Sequence, residues 1–269
     1  MKLSLKYPRV ICTKLCKLAY ELSFLPFYAK NPHKYPITRR YSHLRQITLT
    51  LDKALRLDSH IEGYSHLLAL EDSGTNFLMV SNHLSDYDAL KMVSLCSKPI
   101  SFVAKEEAKS YPFVGKAIAS MDGLFLPRSD LRASLGIMKS LEERLMNKES
   151  FLIYPEGTRN KKPFENEVAP FHPGSFKGAM KAKIVILPVA VFGTFNALKP
   201  SPNYKRTLIQ IKIFKPIYPQ DYEGKNTEEI ATLTHEMINN EVTKMKEKDI
   251  SFYENGYQKI PLSRDLKWK

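Results

Sequence analysis

Two rhythms of apolar residues run along this chain. From about residue 58, short apolar runs bounded by turn residues alternate with longer stretches in which apolar side chains recur every three or four positions. The short runs predict strands: SHIEGYSHLL (59–68), FLMVSN (77–82), KPISFVAK (98–105), GLFLPR (123–128), SFLIYP (150–155) and KIVILPVAVFG (183–193). RTLIQIKIFKPI (206–217) alternates apolar and polar residues, as a half-buried strand does. Helices are predicted over 86–96, 111–121, 130–147 and 174–182; in the third, Leu131, Leu135, Met138, Leu141 and Leu145 keep one register. A last helix opens at Asn226 and Glu229, spaced as a capping box, and carries Ile230, Leu233, Met237 and Met245.

Strands alternating with helices predict an α/β fold, a single layered domain with a largely parallel central sheet flanked by helices. An amphipathic helical segment precedes it. Residues 8–30 place Ile11, Leu15, Leu18, Leu22 and Leu25 at helical spacing, add Tyr20, Phe24, Phe27 and Tyr28, and should break near Pro26. Two readings of this segment are open: a helix lying in a membrane interface, or one packed on the rest of the fold. The link that follows, NPHKYPITRR (31–40), is polar and punctuated by proline. The expected division is a basic amphipathic membrane-interface segment over 1–40, the α/β domain over 41–248 and a polar tail over 249–269.

Charge sharpens the picture. The 269 residues carry a net charge of +13, which favours anionic partners. Residues 1–60 hold twelve Lys and Arg against only Glu21, Asp52 and Asp58. Three cysteines, Cys12, Cys16 and Cys96, form no disulfide framework and fit a reducing compartment. Cys12 and Cys16 would share a helix face, but no further ligand pattern lies near them, so no metal site is expected. The apolar run LSFLPFYA (22–29) is far shorter than the roughly 20 residues that span a bilayer. No small-residue cleavage site follows it. The expected location is the cytoplasmic face of a membrane, in peripheral or monotopic association.

Four stretches can carry chemistry. In SNHLSDYDAL (81–90), His83 stands at a strand end, where open α/β sheets place ligands, and Asp88 lies five residues on. Ser85 at the N-cap would put Asp88 at the third helical position. One reading is a capping box alone. The other is a dyad in which Asp88 holds the Nδ1 proton of His83 and leaves Nε2 as a base. In FLIYPEGTRN (151–160), Gly157 permits close backbone approach, Arg159 offers a planar donor fork, and Glu156 either holds Arg159 or binds a hydroxyl. Lys105 and Arg128 each end a strand. Pro188 interrupts VILPVAV and calls for a strand edge, a bulge or a turn. No GxGxxG or Walker-type loop supports nucleotide binding.

Taken in order, these stretches resemble the four blocks of the glycerolipid acyltransferases, and are most similar to the bacterial enzymes that acylate 1-acylglycerol 3-phosphate (lysophosphatidic acid). The family's NHxSxxD reads here NHLSDYD. Its second block reads Lys105, Pro112, Gly115, Gly123, Phe125 and Arg128; its FPEGTR reads YPEGTR, with Tyr154 for the usual Phe; its fourth proline is Pro188. The resemblance implies acyl transfer from a thioester to the sn-2 hydroxyl of 1-acylglycerol 3-phosphate, giving phosphatidic acid. It implies His83 as base, Asp88 as its support and Lys105 as oxyanion stabiliser. Arg128 and Arg159 would bind the substrate phosphate, with Glu156, Gly157 and Thr158 shaping the glycerol end. No cofactor or metal is implied; the acyl donor is acyl-CoA or acyl carrier protein. The partners are that donor, a membrane lipid acceptor and an anionic membrane surface. Asn160, where many glycerol 3-phosphate enzymes carry Ser, favours the lysophospholipid; the alternative acceptors are glycerol 3-phosphate or another lysophospholipid. A Ser85 hydrolase lacks the GxSxG elbow, and no nucleic-acid motif accompanies the basic charge.

Overall fold

The structure, a computed structural model, describes residues 6–127, 130–198 and 206–254, with the side chains of residues 6–16 and of Leu131 outside that description. Its elements are α1 (Lys6–Lys30), α2 (Ile37–Ala54), β1 (Leu57–Glu62), α3 (Tyr64–Ser73), β2 (Phe77–Ser81), α4 (Tyr87–Leu95), β3 (Ser101–Lys105) and α5 (Val114–Ser120). There follow β4 (Leu124–Leu126), α6 (Leu131–Met146), β5 (Phe151–Ile153), α7 (Lys177–Lys181), β6 (Val185–Phe192), β7 (Thr207–Ile213) and α8 (Thr227–Glu254).

The seven strands form one sheet in the order β1-β7-β6-β2-β5-β3-β4. Five of them run parallel, while β1 and β7, parallel to each other, run the opposite way through the antiparallel β6–β7 pair. Both faces of the central strands are covered, so β2, β5 and β6 are buried along their whole length and almost wholly apolar. Phe77 and Met79 of β2 join a core with α1 to α5, whereas Leu78 and Val80 join one with α6, α7 and α8. The capping box of α8 forms, Asn226 N donating to Glu229 Oε2 (2.7 Å) and Glu229 N to Asn226 Oδ1 (2.9 Å).

Several local expectations change. The strand expected over 59–68 breaks at Gly63 into β1 and α3. β7 is buried almost throughout rather than on one face, because α8 covers its polar side and Gln210 Nε2 donates to the Met245 carbonyl (2.8 Å). Leu135 and Leu233 fall on exposed helix faces; the buried line of α8 runs through Ile230, Ile238, Val242 and Met245. That helix continues to Glu254, with Asp249 and Phe252 buried. Pro188 sits in a central strand, not at an edge, and a bulge accommodates it. The four residues of β6 from Ile186 to Val189 face five from Ile213 to Ile217, so the missing N–H falls where the ladder slips.

The N-terminal region departs most. α1 runs unbroken through Pro26, and α2, which the sequence pattern did not predict, begins at Ile37, so the boundary expected at residue 40 falls within it. Leu25 and Tyr28 of α1 are buried, and Leu18 and Leu22 pack on the core. The other face exposes Tyr20 and Phe27 beside Lys17 and Lys30. Arg40, expected as part of a polar link, is buried. Its guanidinium reaches Asp122 (2.7 Å) and the carbonyls of Tyr35 and Ser120, tying α2 to the end of α5. No helix among the described residues is long and apolar enough to cross a membrane.

Candidate active site

The C-terminal ends of β2, β5 and β3 bring His83, Tyr154 and Lys105 to one edge of the sheet. Asn82 pins the first of these ends: its side chain donates to the Val191 carbonyl (2.9 Å) and accepts from Val191 N (2.8 Å), extending β2–β6 pairing by a side chain. The chain then turns into α4. His83 Nδ1 lies 2.7 Å from Asp88 Oδ2. A carboxylate only accepts, so Nδ1 carries the proton and Nε2 presents its lone pair.

Asp88 is fully buried and saturated with donors. Oδ2 also accepts from the main-chain N–H groups of Leu84 (2.6 Å) and Ser85 (2.9 Å), while Oδ1 takes the hydroxyls of Ser85 (3.3 Å) and Thr194. Ser85 Oγ accepts from Tyr87 N (3.2 Å), but α4 starts at Tyr87 with Asp86 at its N-cap, so Asp88 is the second helical residue rather than the third and the expected capping box does not form. The carboxylate that closes the turn before α4 by accepting from Ser85 N also orients the imidazole, and its position in the first helical turn favours the anion.

Glu156, 5% exposed, fixes the loop on the other side: Oε1 accepts from His83 N (2.6 Å) and Oε2 from Ala169 N (3.0 Å). Burial raises its carboxyl above the usual range, and the two N–H bonds partly offset this. Neither oxygen holds Arg159; Glu156 sets the backbone of His83 instead. Arg159 pairs with Asp86 (2.5 Å) at the surface. Gly157 takes a left-handed conformation (φ 61°) that closes the turn by donating its N–H to the Tyr154 carbonyl (3.0 Å). The Asn160 side chain is spent on its own loop, bonding the Glu167 carbonyl (3.1 Å) and Lys162 N (3.0 Å), while its main-chain N–H donates to the His83 carbonyl (2.8 Å). Arg128 lies outside the described residues.

Beside His83 opens a cavity of about 330 Å³. Its depth is apolar, walled by Leu44 of α2, Leu90 and Val93 of α4, and Val114 and Ile118 of α5. Its polar lining is His83, Asp86, Lys105, Glu107, Thr158, Arg159 and Lys161. Such a shape suits a ligand with a hydrocarbon chain and an anionic head, with a base at the junction.

Residues 59–192 match the model of the Acyltransferase family, so all four blocks fall inside the matched region. Over that stretch, just under half of its 269 residues, the chain matches the acyltransferase family. It is 30% identical over 157 residues, 58% of this chain and 52% of the relative, to the 1-acyl-sn-glycerol-3-phosphate acyltransferase of Saccharomyces cerevisiae. Over 159 residues it is 30% identical to the Helicobacter pylori protein of the same name, covering 56% of this chain and 65% of that one. The chain thus spans about half to two thirds of these relatives. The crystal structure of the 1-acyl-sn-glycerophosphate (LPA) acyltransferase from Thermotoga maritima shares the fold, with a TM-score of 0.60 at 22% identity over 87% of this chain and 98% of that one.

Sequence reasoning missed several residues of this site. Thr194 is buried on Asp88 and follows Gly193 at the end of β6; a polar residue just past a buried strand was the available signal, the same one that marked His83. Tyr87 and Lys91, buried on α4, bond the two oxygens of Asp52 on α2 (2.7 and 2.6 Å), fastening the helix that carries Asp88 to the cavity wall. Burial, with Asp52 beside it, pushes the Tyr87 phenol well above its ordinary value. Nothing local marks Asp52, because its partners lie 35 and 39 positions away.

Proposed function

We propose that this protein moves a fatty acyl group from an acyl thioester, of coenzyme A or acyl carrier protein, to the sn-2 hydroxyl of 1-acylglycerol 3-phosphate. The observation that carries the reading is a histidine whose Nδ1 is held by a buried carboxylate beside a largely apolar cavity that Lys105, Arg159 and Lys161 also line. The names of the relatives agree with it.

His83 Nε2 takes the proton of the acceptor hydroxyl as its oxygen attacks the thioester carbonyl. Asp88 stabilises the imidazolium so formed. General-base catalysis of this kind is worth about 10²–10⁴-fold. The tetrahedral oxyanion faces Lys105 at the end of β3, and such a donor contributes about 10²–10³-fold. Collapse expels the thiolate, which recovers the proton from His83. No acyl-enzyme forms, and the reaction as proposed needs no cofactor. The acyl chain occupies the apolar depth of the cavity. Arg159, with Arg128, takes the acceptor phosphate, and Glu156, Gly157 and Thr158 shape the loop around the glycerol end. A lipid acceptor requires an interface. The exposed face of α1, with Tyr20, Phe27, Lys17 and Lys30, is suited to an anionic bilayer on the cytoplasmic side.

The test is a purified-protein assay with labelled acyl thioester and either lysophosphatidic acid or glycerol 3-phosphate as acceptor. Phosphatidic acid should form from the first, and His83→Ala should lose about 10²-fold or more. Near-normal turnover by His83→Ala would remove the base assignment, and preference for glycerol 3-phosphate would replace the acceptor.

A further inference from the structure

We propose that Tyr154 is a positioning residue for the general base: the face of its ring fixes the plane of the His83 imidazole and stabilises the positive charge that imidazole gains when Nε2 takes a proton. This rests on the base role proposed for His83. The two rings are stacked, with centroids 4.1 Å apart and planes 12° from parallel. Asp88 holds His83 through one bond at Nδ1, which leaves the ring free to pivot about that bond. A flat neighbour against one face removes the pivot and keeps Nε2 on a fixed heading. The same face carries the negative part of the aromatic quadrupole, which attracts an imidazolium more than a neutral imidazole.

The hydroxyl of Tyr154 shows that the ring face, not the phenol oxygen, is in use. That oxygen is buried and has no hydrogen-bond partner among the described residues. The ring is therefore set by its place after β5 and by packing against the core around α2 to α5. Burial pushes the phenol well above its ordinary value, and Asp88 and Asp86 add to the shift, so it stays neutral across the working range and offers an intact π face.

Other charges around His83 are accounted for. Asp88 on α4 is the group that touches the imidazole; Glu156, from the turn after β5, meets only its main-chain N–H. Asp86 and Arg159 face each other as a pair, and Lys105, Glu107 and Lys161 stand around the cavity. The carboxylate in the ring plane and the aromatic face above it are thus the two contacts that set how readily His83 accepts a proton.

The experiment is an NMR titration of His83, assigned among the seven histidines with His83→Gln, in the wild type, Tyr154→Phe and Tyr154→Leu, alongside the pH profile of kcat/KM. Tyr154→Phe keeps the face and should titrate as the wild type does. Tyr154→Leu should lower the midpoint by about 0.5–1 pH unit, the size of a partly desolvated cation–π contact. The acid limb of its kcat/KM profile should move the same way, with kcat falling about three- to tenfold and KM changing less. If Tyr154→Leu does not fold, Tyr154→Met, which fills space without a ring, takes its place. An unchanged midpoint in the ringless variant overturns the proposal, as does an equal shift in Tyr154→Phe, which would assign the effect to the hydroxyl. The titration needs no substrate. A wild type without acyl transfer but with the expected midpoint shift would sink the enzymatic reading and leave the stacking role standing.

Discussion

Replacing Asp88 by Asn separates two roles that one carboxylate performs. The amide is nearly the same size, so packing around a fully buried position is retained. Its oxygen can take the place of Oδ2 and accept from His83 Nδ1, Leu84 N and Ser85 N. The NH₂ then faces the hydroxyls of Ser85 and Thr194, which can turn and accept. Geometry survives, but charge does not. Three bonds to a carboxylate become neutral ones, and each loses about 1 kcal/mol, partly offset because a buried anion no longer has to be desolvated. Fold stability should drop by about 1–3 kcal/mol. The imidazolium loses more: opposite charges about 4 Å apart interact by about 4 kcal/mol at an effective dielectric of 20. That corresponds to about 10³-fold in kcat. Asp88→Ala instead strands three N–H donors and should lose stability and turnover together. The assay pairs urea unfolding with initial rates of acyl transfer. Asp88→Asn with kcat within tenfold of wild type would refute the reasoning, since the imidazolium would then need no counter-charge.

Four further outcomes follow from the same geometry. Asp86→Asn frees Arg159 from an exposed ion pair worth about 0.2–1 kcal/mol, so KM for the phosphate-bearing acceptor should fall up to about fivefold; a rise would mean that Asp86 itself serves the substrate. Asp249 is buried with neither oxygen hydrogen-bonded among the described residues, and burial raises its carboxyl from 3.8 to about 7. The folded state therefore holds a proton that the unfolded chain releases, so stability should decline as pH rises from about 4 to 7, by at most roughly 4 kcal/mol and less if the end of α8 frays. Asp249→Asn should flatten that decline in urea midpoints, and an unchanged slope would acquit the residue. Gly193→Ala sets a Cβ 2.2 Å from the Leu208 carbonyl oxygen at φ 92°, so it should lose about 1–3 kcal/mol or more and, by displacing Thr194 from Asp88, lower kcat. Tyr20→Ser with Phe27→Ser should weaken co-sedimentation with anionic vesicles without lowering the melting temperature, since both side chains are more than 60% exposed; undiminished binding would move the membrane contact elsewhere.

The strands and the His83–Asp88 contact were legible because both are local. Apolar runs such as FLMV are long enough to mark a strand without knowing its neighbours, and His83 and Asp88 meet across five residues. What the pattern left out depends on distant partners. α2 carries Arg40, Thr48, Thr50 and Asp52 on buried positions, which weakens its apolar stripe; those groups are buried because they meet partners such as Asp122, Tyr87 and Lys91. β7 looks two-faced until α8, which lies beyond it in the chain, covers its polar side. Glu156 was read toward its sequence neighbour Arg159, whereas its carboxylate spans 73 positions to the backbone of His83.

Leu44 gives the cavity a different significance. This part of the wall belongs to α2, outside residues 59–192, whereas His83, Asp88, Lys105 and Arg159 all lie inside them. The groups proposed to react and this part of the cavity wall, proposed to hold the acyl chain, are thus written in separate stretches of the gene. Substitutions in α2 can deepen or shorten the pocket without touching a reacting group, and Asp52, by gripping Tyr87 and Lys91, keeps such a changed wall in register with the chemistry. Chain-length preference can then drift, or be engineered, while the reaction itself is inherited unaltered.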